Sequence, residues 1–157
     1  MSSEHDAKLV RGFTLVELVI VVLIIGILTG VAAPKFVGSL KWAQANAAAL
    51  RLKADLNLAR QTAISRSATQ SVQFTVNSAV YTLPGIADPD HPAATYSVDL
   101  SKETYRATVT AASFGAGAIL QFDRYGQAVN GGSVTILAGG ITKTISIDAA
   151  SGAASIL

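Results

Sequence analysis

Lys8-Leu9-Val10-Arg11-Gly12-Phe13-Thr14-Leu15-Val16-Glu17 opens into FTLVELVIVVLIIGILTGVAA, residues 13–33, and this junction decides how the rest of the chain is read. As a helix rising about 1.5 Å per residue, the apolar run covers roughly 30 Å, the thickness of a bilayer's hydrocarbon core. The rival reading is a secretory signal peptide, with Gly30, Val31 and Ala32 as small residues at a cleavage site. A signal peptide's apolar region runs only about 7–15 residues, however. This one is longer, carries an acid near its start and meets Pro34 at once. A membrane-spanning helix over 13–33 is therefore expected.

Glu17 is the informative residue in that helix. A carboxylate in mid-span costs roughly 2.5–3.5 kcal/mol on insertion scales, so it calls for a partner unless it snorkels to water from near the helix end. Its setting is a short basic leader, Gly, Phe, then Thr-Leu-x-Glu entering the apolar run. This resembles the processing signature of type IV prepilins and type II secretion pseudopilins. The resemblance implies that a prepilin peptidase at the cytoplasmic face removes a leader, residues 1–12. It would cut between Gly12 and Phe13 and methylate the new amino group of Phe13. It further implies that Glu17 pairs with the amine of a neighbouring subunit and so sets register during filament assembly. Cleavage would create an α-amino cation, with a pKa near 8, four residues before Glu17. An ammonium and a carboxylate meeting in lipid relieve each other's desolvation. A four-residue spacing allows that contact on one helix as well as between helices.

Elsewhere the composition is that of an ordinary small domain. The 157 residues have room for one modest domain plus an anchor. Half are hydrophobic and only 14% are charged, against a usual share of about 25%, and residues 13–33 hold most of that excess. A net charge of +2 is too weak to argue for nucleic acid as a partner. With no cysteine, disulfides and thiolate metal sites are excluded, and only His5 and His91 could supply imidazole. Lys8 and Arg11 precede the span while Lys35, Lys41, Arg51 and Lys53 follow it, so loop charge gives an ambiguous or adverse orientation. Orientation rests on the resemblance, which puts the leader in the cytoplasm. The chain is then a single-pass protein of the bacterial inner membrane with its C-terminal domain in the periplasm. Gly26 and Gly30 form a small-xxx-small pair that lets helices approach closely. Pro34 ends the apolar run and is expected to kink the helix there, a plain helix end being the simpler reading.

An amphipathic continuation is expected over 34–67. Phe36, Leu40, Ala43, Ala47, Leu50, Ala54 and Leu58 share one face. From Leu52 a second row, Leu52, Leu56, Ala59 and Ala63, appears on the opposite face. A helix with one wet side needs a single row. Two rows suggest either a sheet on one side and a neighbouring subunit on the other, or a helix wrapped by its own loops.

After Thr69 the period changes to two, and 68–157 reads as an antiparallel β domain. Val72, Phe74 and Val76 face Ala79, Tyr81 and Leu83 across Asn77-Ser78. A second hairpin turns at Gly139-Gly140. Val134, Ile136, Ala138, Ile141, Ile145 and Ile147 form its dry side, interrupted by Lys143, and Ser133, Thr135, Leu137, Thr142, Thr144 and Ser146 its wet side. Residues 119–122 form a short strand leading into the turn Asp123-Arg124-Tyr125-Gly126, and 148–152 read as another turn before a last strand. Residues 84–102 read as a loop. The segments 56–64, 120–126 and 148–152 together resemble the GspH/FimT group of minor pseudopilins and pilins. The expected fold is thus α+β and pilin-like, a long N-terminal helix packed on an antiparallel sheet.

No catalytic set can be assembled, and no cofactor or metal is expected. His91 lies in Asp88-Pro89-Asp90-His91-Pro92, an exposed-loop composition, and Asp88 and Asp90 alone fall short of the six or more oxygens a Ca²⁺ cage needs. Gly115-Ala116-Gly117 lacks the following basic residue and helix start of a phosphate loop. The resemblance therefore implies a structural subunit. It would be a minor pseudopilin of a type II secretion pseudopilus, with other pseudopilins or pilins, the prepilin peptidase and the membrane as partners. The alternative is a minor type IV pilin in pilus biogenesis or DNA uptake. That role is weakened because residues 146–157 hold no basic side chain and only Lys102, Arg106, Arg124 and Lys143 follow Arg66.

Overall fold

The computed structural model describes residues 12–115 and 117–157, with the backbone alone at 31–34. The leader is therefore outside the described residues except for Gly12, as is the Pro34 side chain on which the expected kink turns. One helix, α1 (Leu15–Arg66), is followed by eight strands. These are β1 (Gln70–Phe74), β2 (Val80–Ala87), β3 (Thr95–Asp99), β4 (Ala107–Ser113), β5 (Ile119–Phe122), β6 (Gly132–Ala138), β7 (Ile141–Ile147) and β8 (Ala154–Ile156). Contacts divide the chain into two compact units, 1–38 and 39–157.

In the first unit the helix is long and apolar enough to cross a membrane, and none of that window is buried. Pro34 does not end it, since α1 continues to Arg66. There it stops in a Schellman arrangement: Ala68 N–H reaches the Ala63 carbonyl at 3.1 Å and Ser67 N–H that of Ile64 at 3.1 Å. Ser67 takes the left-handed conformation, φ 50°, that glycine usually supplies.

The second unit packs the rest of α1 on two antiparallel four-stranded sheets. Their orders are β3-β2-β1-β5 and β4-β6-β7-β8. Both expected hairpins form in the expected register, Phe74 opposite Tyr81 and Ala138 opposite Ile141. Gly139 and Gly140 both have positive φ, 57° and 87°, the signature of a type I′ turn. The first hairpin closes more widely than expected, through Ser78 N–H to the Thr75 carbonyl at 3.2 Å with Asn77 at φ 63°. That wider loop turns Val76 out to solvent. It also lets Asn77 and Ser78 bond Val109 of β4, stitching one sheet to the other.

Two corrections concern strands. Residues 84–102 are not simply a loop: β2 runs on to Ala87 and β3 pairs with it, through a register shift between Leu83 and Ala87. Strand β4 was not foreseen either. Its alternation breaks at a bulge between Val109 and Ala111, and a bulge moves every later side chain out of a strict period of two. One core joins helix and sheets, with Tyr81, Phe122, Leu52, Leu56 and Ile136 among its fully buried side chains.

Candidate assembly surfaces of the helix

The start of α1 is a capped helix terminus. Thr14 precedes the first helical residue, and its Oγ1 accepts the Glu17 N–H at 3.2 Å. Thr-x-x-Glu is the spacing of a capping box, in which the threonine satisfies one of the four orphan N–H groups. A carboxylate in the first turn also meets the positive end of the helix dipole. Thr14 and Glu17 thus act as a pair at the helix start. Among the described residues no hydrogen bond or ion pair reaches the Glu17 carboxylate. Gly12 and Phe13 precede the helix in exposed, non-helical chain. Gly26 and Gly30 have open space where a Cβ would stand.

Further along, the two apolar rows separate cleanly. Leu52, Leu56, Ala59 and Ala63, with Ala45, Ala48 and Ala49, are buried in the domain core. On the other row Leu50 is 52% and Leu58 41% exposed, against 0% for Leu52. Leu40 and Trp42 are also exposed. The helix is not wrapped by its own loops, so the exposed row is available to another molecule.

The three segments that carried the GspH-like resemblance converge at one place. Arg60 Nε donates to the Gly126 carbonyl at 3.0 Å. A Cβ on Gly152 would lie 2.0 Å from that same oxygen, and Gly152 has φ +64°. Asp123 holds the first turn by accepting the Tyr125 and Gln127 N–H groups, each at 2.9 Å. Asp148 holds the second, and the Ser151 hydroxyl and N–H keep its carboxyl below the ordinary aspartate value.

A buried polar cluster escaped the sequence reading. Asp55 lies on the core face of α1, 4% exposed. Its Oδ2 accepts Tyr81 Oη at 2.5 Å and Arg51 Nε at 3.0 Å, and its Oδ1 accepts Tyr96 Oη at 3.0 Å. Arg51 also bonds the Tyr96 hydroxyl. Burial, then the Asp55 charge, pushes both tyrosine hydroxyls above their usual pKa, so they stay protonated and donate. Burial alone would lower Arg51, but Asp55 and Tyr96 outweigh it and hold the guanidinium above its ordinary value. The signal in the sequence was an acid in register with Leu52, Leu56 and Ala59.

His91 is exposed, and Asp88 spends Oδ1 on the N–H groups of Asp90 and His91, at 2.8 and 3.1 Å. Among the described residues no group of three acidic, His or Cys side chains is placed to hold a metal.

A capped apolar helix leading into an α+β domain of two antiparallel sheets is the architecture of a pilin-like subunit. The prokaryotic N-terminal methylation motif matches residues 8–33, and the type II transport protein GspH family matches residues 48–152. The chain belongs to the GspH family. Two crystal structures of the type IV minor pilin FimU from Pseudomonas aeruginosa share the fold. One is 21% identical with a TM-score of 0.52, covering 71% of this chain and 91% of that one. The other is 22% identical with a TM-score of 0.51, covering 72% and 86%. At such identities the likeness speaks for the fold alone. No curated protein matches the chain significantly.

Proposed function

We propose that this chain is a minor pseudopilin of a type II protein secretion system. Prepilin peptidase cuts it between Gly12 and Phe13 and methylates Phe13. Residues 13–33 then anchor it in the bacterial inner membrane with the domain on the periplasmic side. Assembly with other pseudopilins uses Glu17 in the membrane and the exposed row of α1. The observation that carries this reading is the second apolar row: Leu50 and Leu58 face solvent while Leu52 and Leu56 fill the core. Leaving large aliphatic side chains in a row on a helix suits a surface that is covered in use. The pairing of an N-terminal methylation motif with a GspH domain supports a filament subunit, a class of structural proteins rather than enzymes.

Three measurements test it. Mass spectrometry of the membrane form should give an N-terminus at methylated Phe13; one at Ala33 or Pro34 would favour an ordinary signal peptide. Glu17→Val should be inserted and processed as the wild type, yet lose crosslinks to other pseudopilins, because a neighbour's amine would be left unpaired in lipid. Wild-type crosslinking would remove Glu17 from the assembly mechanism. Deletion of the gene should abolish protein secretion. Loss of pili or of DNA uptake, with secretion intact, would favour the second reading, a minor type IV pilin, which is the class of the FimU structures that share this fold.

A further inference from the structure

The core face of α1 within residues 39–157 is built mainly of alanine. Ala45, Ala48, Ala49, Ala59 and Ala63 are buried there, and Leu52 and Leu56 are the large apolar side chains among them. Helices find their position on a partner by fitting ridges of side chains into grooves. An alanine face has low ridges. Moved one turn along its axis, it brings Ala49 to the place of Ala45, Leu56 to that of Leu52 and Ala63 to that of Ala59, so apolar packing resists the shift chiefly where Leu52 would meet the site of Ala48.

Asp55 stands in the middle of that face and is not interchangeable with its neighbours. Its partners come from two adjacent strands of one sheet, Tyr81 on β2 and Tyr96 on β3. Tyr81 pairs with Val98, two residues from Tyr96, so the two hydroxyls approach from diagonal positions on one face. Arg51, one turn back on the helix, closes the set from the side that reaches water. A slip of one turn carries the carboxylate about 5.4 Å, beyond both hydroxyls. It would leave a buried charge and two buried phenols without partners, the arrangement that proteins tolerate least.

We propose that Asp55, Tyr81, Tyr96 and Arg51 form a register key, which fixes where α1 lies along the β3-β2-β1-β5 sheet. The key adds to the discrimination that Leu52 and Leu56 provide on an otherwise alanine face, as a single buried polar residue sets register in a coiled coil. Its consequence is on the opposite side of the helix. Leu50 and Leu58 are held at one position relative to the domain surface, so a docking molecule meets one shape rather than several. The key belongs to the folded domain and holds whichever filament the subunit enters.

The test uses the full chain in detergent micelles. Because it has no cysteine, Asn57→Cys on α1 and Gln73→Cys on β1, both exposed, accept a pair of spin labels for distance measurement. The combined Asp55→Leu, Tyr81→Phe, Tyr96→Phe substitution removes the key while keeping the volume. It should stay folded by circular dichroism, but its distance distribution should broaden or split, with a second population displaced by about 5.4 Å, one helical turn. A single distance as narrow as in the unaltered protein overturns the proposal, since apolar packing would then set the register. If the combined variant does not fold, Tyr81→Phe with Tyr96→Phe decides: Asp55 keeps its charge paired with Arg51 on the same helix, but neither strand holds the carboxylate, so the distribution should widen. An unchanged width there overturns the proposal equally.

Discussion

The two rows of α1 within the folded domain differ in a way that side-chain size would not suggest. The buried row is mostly alanine, while leucines at 50 and 58 and the indole of Trp42 face outward. Burial here follows the available space and not the hydrophobicity of each residue. Small side chains let the helix come close to the sheets, and methyl groups buried at close packing still gain dispersion contacts. The large residues on the far side fill no part of the core. In the proposed assembly they are the surface that another subunit covers.

The most direct way to break this contrast is to truncate one leucine from each row. Leu52→Ala or Leu56→Ala should cost about 2–5 kcal/mol, the range for a buried leucine leaving a cavity. Leu50→Ala or Leu58→Ala should stay within about 0.5 kcal/mol, as for ordinary surface changes. Urea denaturation of a fragment beginning at Lys35 measures both, and equal costs would show that both rows are packed in the folded domain. Enlarging side chains gives the reverse experiment. Ala49→Leu should lose about 1–3 kcal/mol by overpacking, whereas Ala54→Leu, on the exposed row, should be nearly neutral by the same measurement.

Alkaline pH sharpens the contrast from the core side. Tyr81 is raised in the folded state by burial and by Asp55. Unfolded tyrosine loses its proton near pH 10, so above that pH the unfolded chain binds fewer protons than the folded one. Stability contributed by this group is therefore complete below about pH 10 and declines as pH rises further, by about 1.4 kcal/mol per pH unit. Tyr81→Phe should flatten the alkaline limb of a plot of thermal midpoint against pH. Unchanged curvature would mean that Tyr81 is not the linked group.

The smallest effect on stability should accompany a large one on assembly. Leu50→Ser with Leu58→Ser should leave the urea midpoint of the fragment nearly unchanged. Crosslinking of the full chain to its filament neighbours should fall several-fold. A variant that assembles normally would show the outer row to be incidental.

Most of this architecture is legible in the sequence. Periodicity gave both hairpins with their registers, because Gly139-Gly140 demands a type I′ turn and the alternation around it has a single dry side. It gave β5 and the turns at Asp123 and Asp148, where Asp and Gly do local work. It missed β3, since Pro84, Gly85 and the polar segment after them suggest a loop. That strand exists because β2 is there to pair with. It missed β4 because a bulge breaks the period. The Thr14-Glu17 spacing is visible in the sequence, where the processing motif claims the same two residues.

What the sequence determined alone is what depends on neighbours along the chain: the apolar span, the capped helix start, the turns, and the existence of two rows on α1. Which row is dry was decided only by the tertiary structure, because both satisfy helical spacing. The same holds for Asp55. A lone aspartate between leucines is a buried charge or a surface one according to whether hydroxyls from distant strands arrive to meet it. Tyr81 and Tyr96 lie 26 and 41 residues further along the chain, and no local pattern encodes that meeting.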